Sequence, residues 1–480
     1  MRVLQCREGA NAAIPEAQQT SCEYRYVIIM TFAEPMTSHG TGTPRDAKTE
    51  NNGRLAMSML SLHRRAALRL IGGLAAACAG VFPSLPARAA DSTVTLWSWR
   101  TEDEAAMRRI FDAFEVKKPG IKVAIQFTPD ADYQNRLSTA LRGGRGPDIA
   151  QLKAYGELQP FVEAGYLDAL DDSVPELKNM EDAALGGARG RADGKVYGVP
   201  YSVPMMGVFY NQDIFAAQGI EIPKTYKDFT AVCEKLKAAG ITPIATGGAN
   251  GSAWELEIAV GVVGPTVYGP EFYDEMMSGK ATFEDPRYVA ALKRFAELKP
   301  YFPDGFAGID YTTATQQFIG GKAAMFLGGS FENGSFKAQN PKLKFSIFPF
   351  PADDAGAKLY TSAFSDGSYG LVSESQNKEA ATKVLGFMAS AEFAQMFADE
   401  LGWPPARTDV TVKDPVLAAM MEMAKNSTPY LTLVGFRWQS PTASSVLQSE
   451  IIDMVEGNIA PEKLAADMQA AVATWFKPKQ

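Results

Sequence analysis

The chain comprises 480 residues, with 47 lysines and arginines against 55 aspartates and glutamates, a formal charge of −8, and 46% hydrophobic residues. At about 100–200 residues per domain, this length allows two to four domains and a core that needs no disulfide staple. The acidic balance argues against a nucleic-acid partner, which requires a basic face to replace the counterions along the phosphates.

Residues 1–56 carry no sustained period of 2 or 3.6, and 41–53 is polar, so they are read as a disordered leader or as sequence ahead of the true start at Met57 or Met59. From Met59 the chain reads MLSLHRRAALRLIGGLAAACAGVFPSLPARAADS, with Arg64-Arg65 at a basic start, an apolar stretch over 70–82, and Ala87-Arg88-Ala89 ahead of the folded part. That stretch is too short for a hydrocarbon core of about 30 Å but suits an export signal. Residues 57–90 are therefore assigned to a signal peptide, cleaved near Ala89 or Ala90 to give a periplasmic protein. Arg64-Arg65 followed by Leu68 and Arg69 resembles a twin-arginine signal, with Sec export as the alternative. The run Ala75-Ala76-Ala77-Cys78 lacks the leucine of a lipid-attachment box.

The folded part opens with a strand over 94–99, a helix over 102–117, a strand over 122–127, a helix over 133–142 and a strand over 148–152. Such alternation predicts an α/β fold of mostly parallel sheets flanked by helices, with ligands at the carboxyl ends of strands. Trp97, Trp99 and Tyr155 fall near such ends. Trp97 and Trp99 share one face of their strand, so either can belong to the core. Further helices are predicted over 226–239, 286–298, 313–320, 378–388 and 461–476, the last opened by Pro461. Turn punctuation that combines Pro or Gly with an aromatic recurs at 198–204, 366–370 and 403–407. Three such crossings suit two lobes joined by a multi-segment hinge with aromatics in the cleft.

Both histidines, His39 and His63, lie ahead of the assigned mature chain, as do Cys6, Cys22 and Cys78. A Ser-His-Asp or Cys-His mechanism and His-rich metal sites are thereby excluded, and no motif implies a metal or cofactor. The remaining Cys233 sits in DFTAVCEKLKAAG, the apolar face of a helix, and reads as a buried thiol.

Five stretches together resemble the family 1 extracellular solute-binding proteins, the sugar-capturing subunits of ABC importers. They are GRGPDIAQL from Gly144, GKVYGVPYSVPMMGVFYNQDIFAAQGIEIPKTYKDF from Gly194, FIGGKAAMFLGGSF from Phe318, GSYGLVSESQNKEAATKVLGFMAS from Gly367, and the C-terminal EGNIAPEKLAADMQ. Their order and spacing span nearly all of the mature chain, and TLWSWRTEDEAAMRRIFDAFEVKKPGIKV looks like the family's first strand and helix. Phe331 departs from the tryptophan common at its position. The resemblance implies a two-lobed periplasmic binding protein fold of type II, with lobe 1 at 91–202 plus 368–411 and lobe 2 at 203–367 plus 412–480. It further implies a monomer that closes around a neutral mono- or oligosaccharide and docks on a membrane permease.

A pyranose presents apolar C–H faces and a rim of hydroxyls, so its site needs aromatic plates and planar polar groups. Positions matching the family's contacts are Trp99, Glu102, Lys153, Tyr155 and Tyr201, then Trp254 and Glu255 in GANGSAWELE. Gly329, Ser330 and Phe331 form the turn after a strand, Asp366 and Ser368 sit at the second crossing, Arg407 at the third, and Trp438 lies in FRWQSP. Arg407 has the alternative of pairing with a surface carboxylate. Asp148 reads as a turn or cap residue, and Tyr210 and Asn211 as packing and turn residues. The competing enzyme reading is a secreted glycosidase built on two carboxylates, which needs no histidine.

Overall fold

Val94 and Leu96 point the same way from the first strand and are fully buried, while Thr93 and Thr95, which alternate with them, are exposed. Each fully buried aliphatic of this kind contributes about 1.5–3 kcal/mol, so the alternation itself selects which face of the strand meets the core. The structure, a computed structural model, describes residues 92–249 and 251–478. The leader, the start at Met57 or Met59, the signal segment with Arg64-Arg65 and Cys78, and its cleavage region lie outside the described residues.

Strands in chain order are β1 (Ser92–Ser98), β2 (Ile121–Phe127), β3 (Ile149–Lys153), β4 (Val199–Ser202), β5 (Met206–Asn211), β6 (Thr242–Ala245), β7 (Ala323–Gly329), β8 (Phe345–Phe348), β9 (Thr361–Ala363), β10 (Gly367–Leu371) and β11 (Ser427–Pro429). One sheet runs β2-β1-β3-β10-β4 and another β6-β7-β5-β8, with β11 and β9 as a separate pair. The sheets are mixed, which corrects the expectation of mostly parallel ones. β1 is parallel to β2 and β3, but β10 is antiparallel to β3 and β4. In the second sheet β6 and β7 are parallel, while β5 is antiparallel to both β7 and β8. The reason is topological: β5 and β10 each follow directly on a crossing from the other sheet's lobe, so they enter without the helical crossover that keeps neighbours parallel.

Each sheet has its own core. Val94, Leu96, Phe111, Tyr201, Phe397 and Trp403 belong to the first, and Val208, Phe229, Leu292, Met325 and Leu447 to the second. The helix Glu104–Lys117 buries Met107, Ile110, Phe111 and Phe114, the i, i+3, i+4, i+7 stripe of an amphipathic helix. Cys233 is buried on helix Tyr226–Ala238, and its burial pushes the thiol up. Asn211 caps helix Gln212–Ala217 by accepting from Ile214 N–H at 3.0 Å.

The central helix of the second lobe, Ala253–Tyr268, has no counterpart among the sequence predictions. Most of its residues are buried, with Gly261, Gly264 and Pro265 inside it, so it lacks the polar face that makes a period legible. Helix Tyr311–Ile319 begins before the predicted Thr313 because the Asp310 side chain accepts from Thr313 N–H at 2.8 Å and starts the helix two residues early.

Three crossing segments run side by side between the lobes. Ser202 Oγ donates to the Pro404 carbonyl at 2.7 Å, and Ala406 N–H to the Tyr201 carbonyl at 3.0 Å. Phe364 N–H donates to Pro204 and Asp366 N–H to Ser202, each at 3.2 Å. These bonds tie residues more than 150 apart in sequence into one ribbon beneath the space between the lobes. Asp148 is buried as a latch within the first lobe. Its carboxylate accepts from Thr95 N–H at 2.7 Å and Ser375 Oγ at 2.6 Å, joining β1 to the segment after β10.

Candidate functional site

Where the two sheets face each other, a cavity of about 600 Å³ opens above the crossing ribbon, within the range of about 300–1,000 Å³ typical of small-molecule sites. Trp99 leaves the end of β1 and sits edge-on to Tyr133, with ring centroids 5.5 Å apart. Gly367 allows this approach, because a Cβ there would lie 2.6 Å from the Leu152 carbonyl oxygen and 3.1 Å from both Trp99 and the Tyr201 hydroxyl. Facing Trp99 from the second lobe are Trp254 and Tyr311, whose rings are 4.8 Å apart. Phe331 completes the wall and packs on both cores, 6.2 Å from Trp403. Its ring lies over Gly329, where a Cβ would come within 2.1 Å of it.

Trp99, Glu102, Lys153, Tyr155, Trp254, Phe331 and Asp366 are brought together on the cavity wall. Tyr155 takes φ +57°, the single non-glycine residue with positive φ among the described residues. Such a backbone is strained for a bulky side chain and is held only where the surroundings demand it. Here the Tyr155 hydroxyl accepts from Ser365 N–H at 2.9 Å and its carbonyl from Gln159 Nε2 at 2.9 Å.

The other predicted positions do not line the cavity. Tyr201 stands behind it and donates its hydroxyl to the Asp366 carboxylate. Burial raises Asp366 above its ordinary range, with Arg100 and that hydroxyl acting against the rise. Ser330 Oγ accepts from Met205 N–H at 3.2 Å, and Gly329 pairs with Met206, so both serve the join of β7 to β5. Ser368 is buried within β10, opposite Leu152. Arg407 is turned to Asp409, with Nε 2.8 Å from Oδ1, and donates to the Ala389 carbonyl at 3.1 Å. Trp438 donates its indole N–H to the Val434 carbonyl at 2.9 Å and meets Tyr155 edge-on at 6.3 Å.

Glu255 is buried behind the wall, and Glu257 takes the place on it. Helical spacing decides this, because Trp254, Glu257 and Ile258 share one face of Ala253–Tyr268 while Glu255 is turned about a quarter of a turn away. Thr432 Oγ1, Ser444 Oγ and Gln448 Nε2 donate to the Glu257 carboxylate at 2.6, 2.8 and 2.6 Å.

Sequence reasoning passed over Arg100, Asp130, Glu157, Tyr311, Phe364, Ser365, Arg437 and Gln448, which also line the cavity. The capping pair Asp310 and Thr313 was the available signal for Tyr311, and the position of Arg100 between Trp99 and Glu102 was the signal for that residue. Each cation on the wall faces a carboxylate of the protein. Arg100 NH1 lies 2.9 Å from Glu102 and Nε 2.7 Å from Asp103, Lys153 Nζ 2.6 Å from Asp130, and Arg437 NH2 2.8 Å from Glu157. The guanidinium of Arg100 also stacks on Trp403 at 4.4 Å. Among the described residues no cluster of His, Cys, Asp and Glu suits a metal ion, and no helix is long and apolar enough to cross a membrane.

The family model described as bacterial extracellular solute-binding protein matches residues 97–395. An uncharacterised ABC transporter extracellular-binding protein of Pyrococcus horikoshii is 26% identical over 399 residues, which cover 80% of this chain and 87% of that protein. The multiple sugar-binding protein of Streptococcus mutans is 25% identical over 362 residues, covering 72% of this chain and 83% of that protein. Among solved structures, the bacterial solute receptor AcbH, described by its preference for β-D-galactopyranose, superposes with a TM-score of 0.70 at 20% identity, over 81% of this chain and 100% of that one.

Proposed function

The chain belongs to the bacterial extracellular solute-binding protein family, and on that premise we propose that it captures a neutral mono- or oligosaccharide between its lobes and delivers it to the membrane permease of an ABC importer. Members of this family bind their ligands rather than transform them. The observation that carries the reading is the cavity itself, where Trp99, Trp254, Tyr311 and Phe331 offer flat apolar surfaces beside carboxylates and amide groups suited to hydroxyls.

The charge pattern favours a neutral ligand. Arg100, Lys153 and Arg437 are each matched by a carboxylate of the protein, so an incoming phosphate or uronate would have to displace one of these partners and pay for its desolvation. Binding is proposed to close the lobes 91–202 plus 368–411 and 203–367 plus 412–480 on the ligand. Closure requires contacts to both lobes, because a ligand that touches only one has no differential affinity for the closed state. Trp99 and Trp254 supply such contacts from opposite sides. The protein is proposed to work as a monomer in the periplasm after removal of residues 57–90, a location that the extracellular family supports.

The test is a thermal-shift and tryptophan-fluorescence screen of the purified protein against neutral sugars, polyols, sugar phosphates and amino acids, with thin-layer analysis of each mixture. Saturable stabilisation by an intact neutral sugar is expected. Stabilisation by amino acids alone would overturn the carbohydrate assignment, and cleavage of the sugar would establish the glycosidase alternative.

A further inference from the structure

Glu332 is 1% exposed and does not line the cavity, yet it reaches the cavity wall through one hydrogen bond. The Tyr311 hydroxyl donates to Glu332 Oε1 at 2.7 Å. At its other end Tyr311 is held by its backbone N–H, which donates to Ser252 Oγ at 3.0 Å. Ser252 immediately precedes the helix that carries Trp254, so the two aromatic residues share an anchor. Fastened at both the backbone and the phenol oxygen, the Tyr311 ring has one orientation, and it meets Trp254 at 4.8 Å with 52° between the ring planes.

Burying a carboxyl group is expensive unless its partners repay the lost hydration. Glu332 opens helix Glu332–Gln339, where the free backbone N–H groups favour an acidic residue. The groups that face it are Tyr311, Glu255 from the Trp254 helix, and Arg100 and Glu102 from the turn after β1. Helix Ala391–Leu401 packs on the same helix through the Leu401 carbonyl at Gly334. Burial pushes Glu332 up to about 7, with Tyr311 and Arg100 acting against the rise. The ionisable group so raised is the acceptor that holds the phenol end of the Tyr311 ring.

We propose that Glu332 is a positioning residue that sets the orientation of the Tyr311–Trp254 wall, and through it the affinity of the cavity for its ligand. The part concerning affinity rests on the carbohydrate reading above, whereas the orientation of the wall can be tested without any ligand.

The experiment labels the full chain with 5-fluorotryptophan and identifies the Trp254 resonance by its loss in Trp254→Phe. In the unmodified protein that resonance is expected to shift with a midpoint near pH 7. Glu332→Gln, which keeps an acceptor for the Tyr311 hydroxyl but cannot ionise, is expected to give one line that does not move between pH 5.5 and 8.5. Glu332→Ala and Tyr311→Phe are expected to broaden or displace it in the same way. Tyr311→Phe removes only a hydroxyl and keeps the test available should Glu332→Ala fail to fold.

Calorimetry with D-galactose and maltotriose as probes then reads affinity. Glu332→Gln is expected within about threefold of the unmodified protein, and Glu332→Ala and Tyr311→Phe each about tenfold weaker, with the double variant no weaker than either single one. A Trp254 resonance unmoved by both Glu332→Ala and Tyr311→Phe would overturn the positioning role, and so would fully additive losses of affinity. If neither these probes nor any other sugar binds while the resonance behaves as expected, the carbohydrate reading fails and the positioning of the wall stands.

Discussion

At the rim of the cavity the carboxylate of Glu157, on the first lobe, stands 2.8 Å from the guanidinium of Arg437, on the second. Beside this pair the backbones themselves touch, since a Cβ added at Gly156 would fall 2.2 Å from the Arg437 carbonyl oxygen and 2.7 Å from Trp438 Cα. Both members of the ion pair are part-exposed, so the pair contributes about 0–1 kcal/mol, whereas the close backbone approach leaves no room for a side chain at Gly156.

Gly156→Ala is accordingly expected to hold the lobes apart and to weaken ligand binding by about 1–3 kcal/mol, the usual range for an overpacked contact. Glu157→Gln is expected to cost less than about 1 kcal/mol. Titration calorimetry on the two variants checks this, and a larger loss in Glu157→Gln than in Gly156→Ala would show that the ion pair outweighs the backbone contact.

Trp254→Ala and Phe331→Ala are each expected to weaken carbohydrate binding by at least about 1 kcal/mol through loss of a stacking surface. Arg407→Ala is expected to leave affinity unchanged while lowering Tm, since its guanidinium is engaged by Asp409 and Ala389 away from the cavity. Unchanged affinity in both aromatic variants would remove these two rings from the site.

Stability should carry the signature of Glu332. Its native-state value of about 7 lies above the ordinary 4.5, so the folded protein binds the extra proton between these values. The stability associated with that proton is complete below about pH 4.5 and is lost as pH rises through about 7. Glu332→Gln is expected to match the parent protein near pH 4.5 and to exceed it by up to about 3 kcal/mol at pH 8.5, measured by urea unfolding. An advantage that stays constant across this range would contradict the assignment.

Asp148 should behave in the opposite sense. Burial acts to raise it, but hydrogen bonds from Ser375, Thr95 and Asn377 outweigh that effect and hold it below its ordinary range. Its contribution is therefore present above about pH 4 and lost as pH falls through the lowered native value. Asp148→Asn is expected to cost about 1–3 kcal/mol at pH 7 and progressively less in acid, with no change in ligand affinity. A loss of affinity would mean that the latch also shapes the cavity.

The local signals of the sequence reached far into the fold. Val94 and Leu96 alternate with polar neighbours, the helix Glu104–Lys117 carries its own apolar stripe, and Pro or Gly with an aromatic marks all three crossings, because strand period, helix period and turn chemistry depend on residues within a few positions of one another. The same locality brought Trp99 and Tyr155 into consideration, each near a strand end, whereas Trp254, Phe331 and Asp366 were singled out through the family resemblance.

What the tertiary structure alone decided is orientation. Glu257 rather than Glu255 faces the cavity because helix Ala253–Tyr268 is rotated to put Glu255 beside Glu332, 77 residues further along the chain. Tyr311 joins the wall because Ser252 and Glu332 hold its two ends, and Arg100, Lys153 and Arg437 are neutralised by carboxylates, of which Glu157 comes from the opposite lobe to Arg437. β5 and β10 run antiparallel to their neighbours because of where their crossings enter the sheets. Such outcomes depend on contacts between residues distant in sequence, whose energies exist only after the two lobes have folded and met, so no local period or composition could record them.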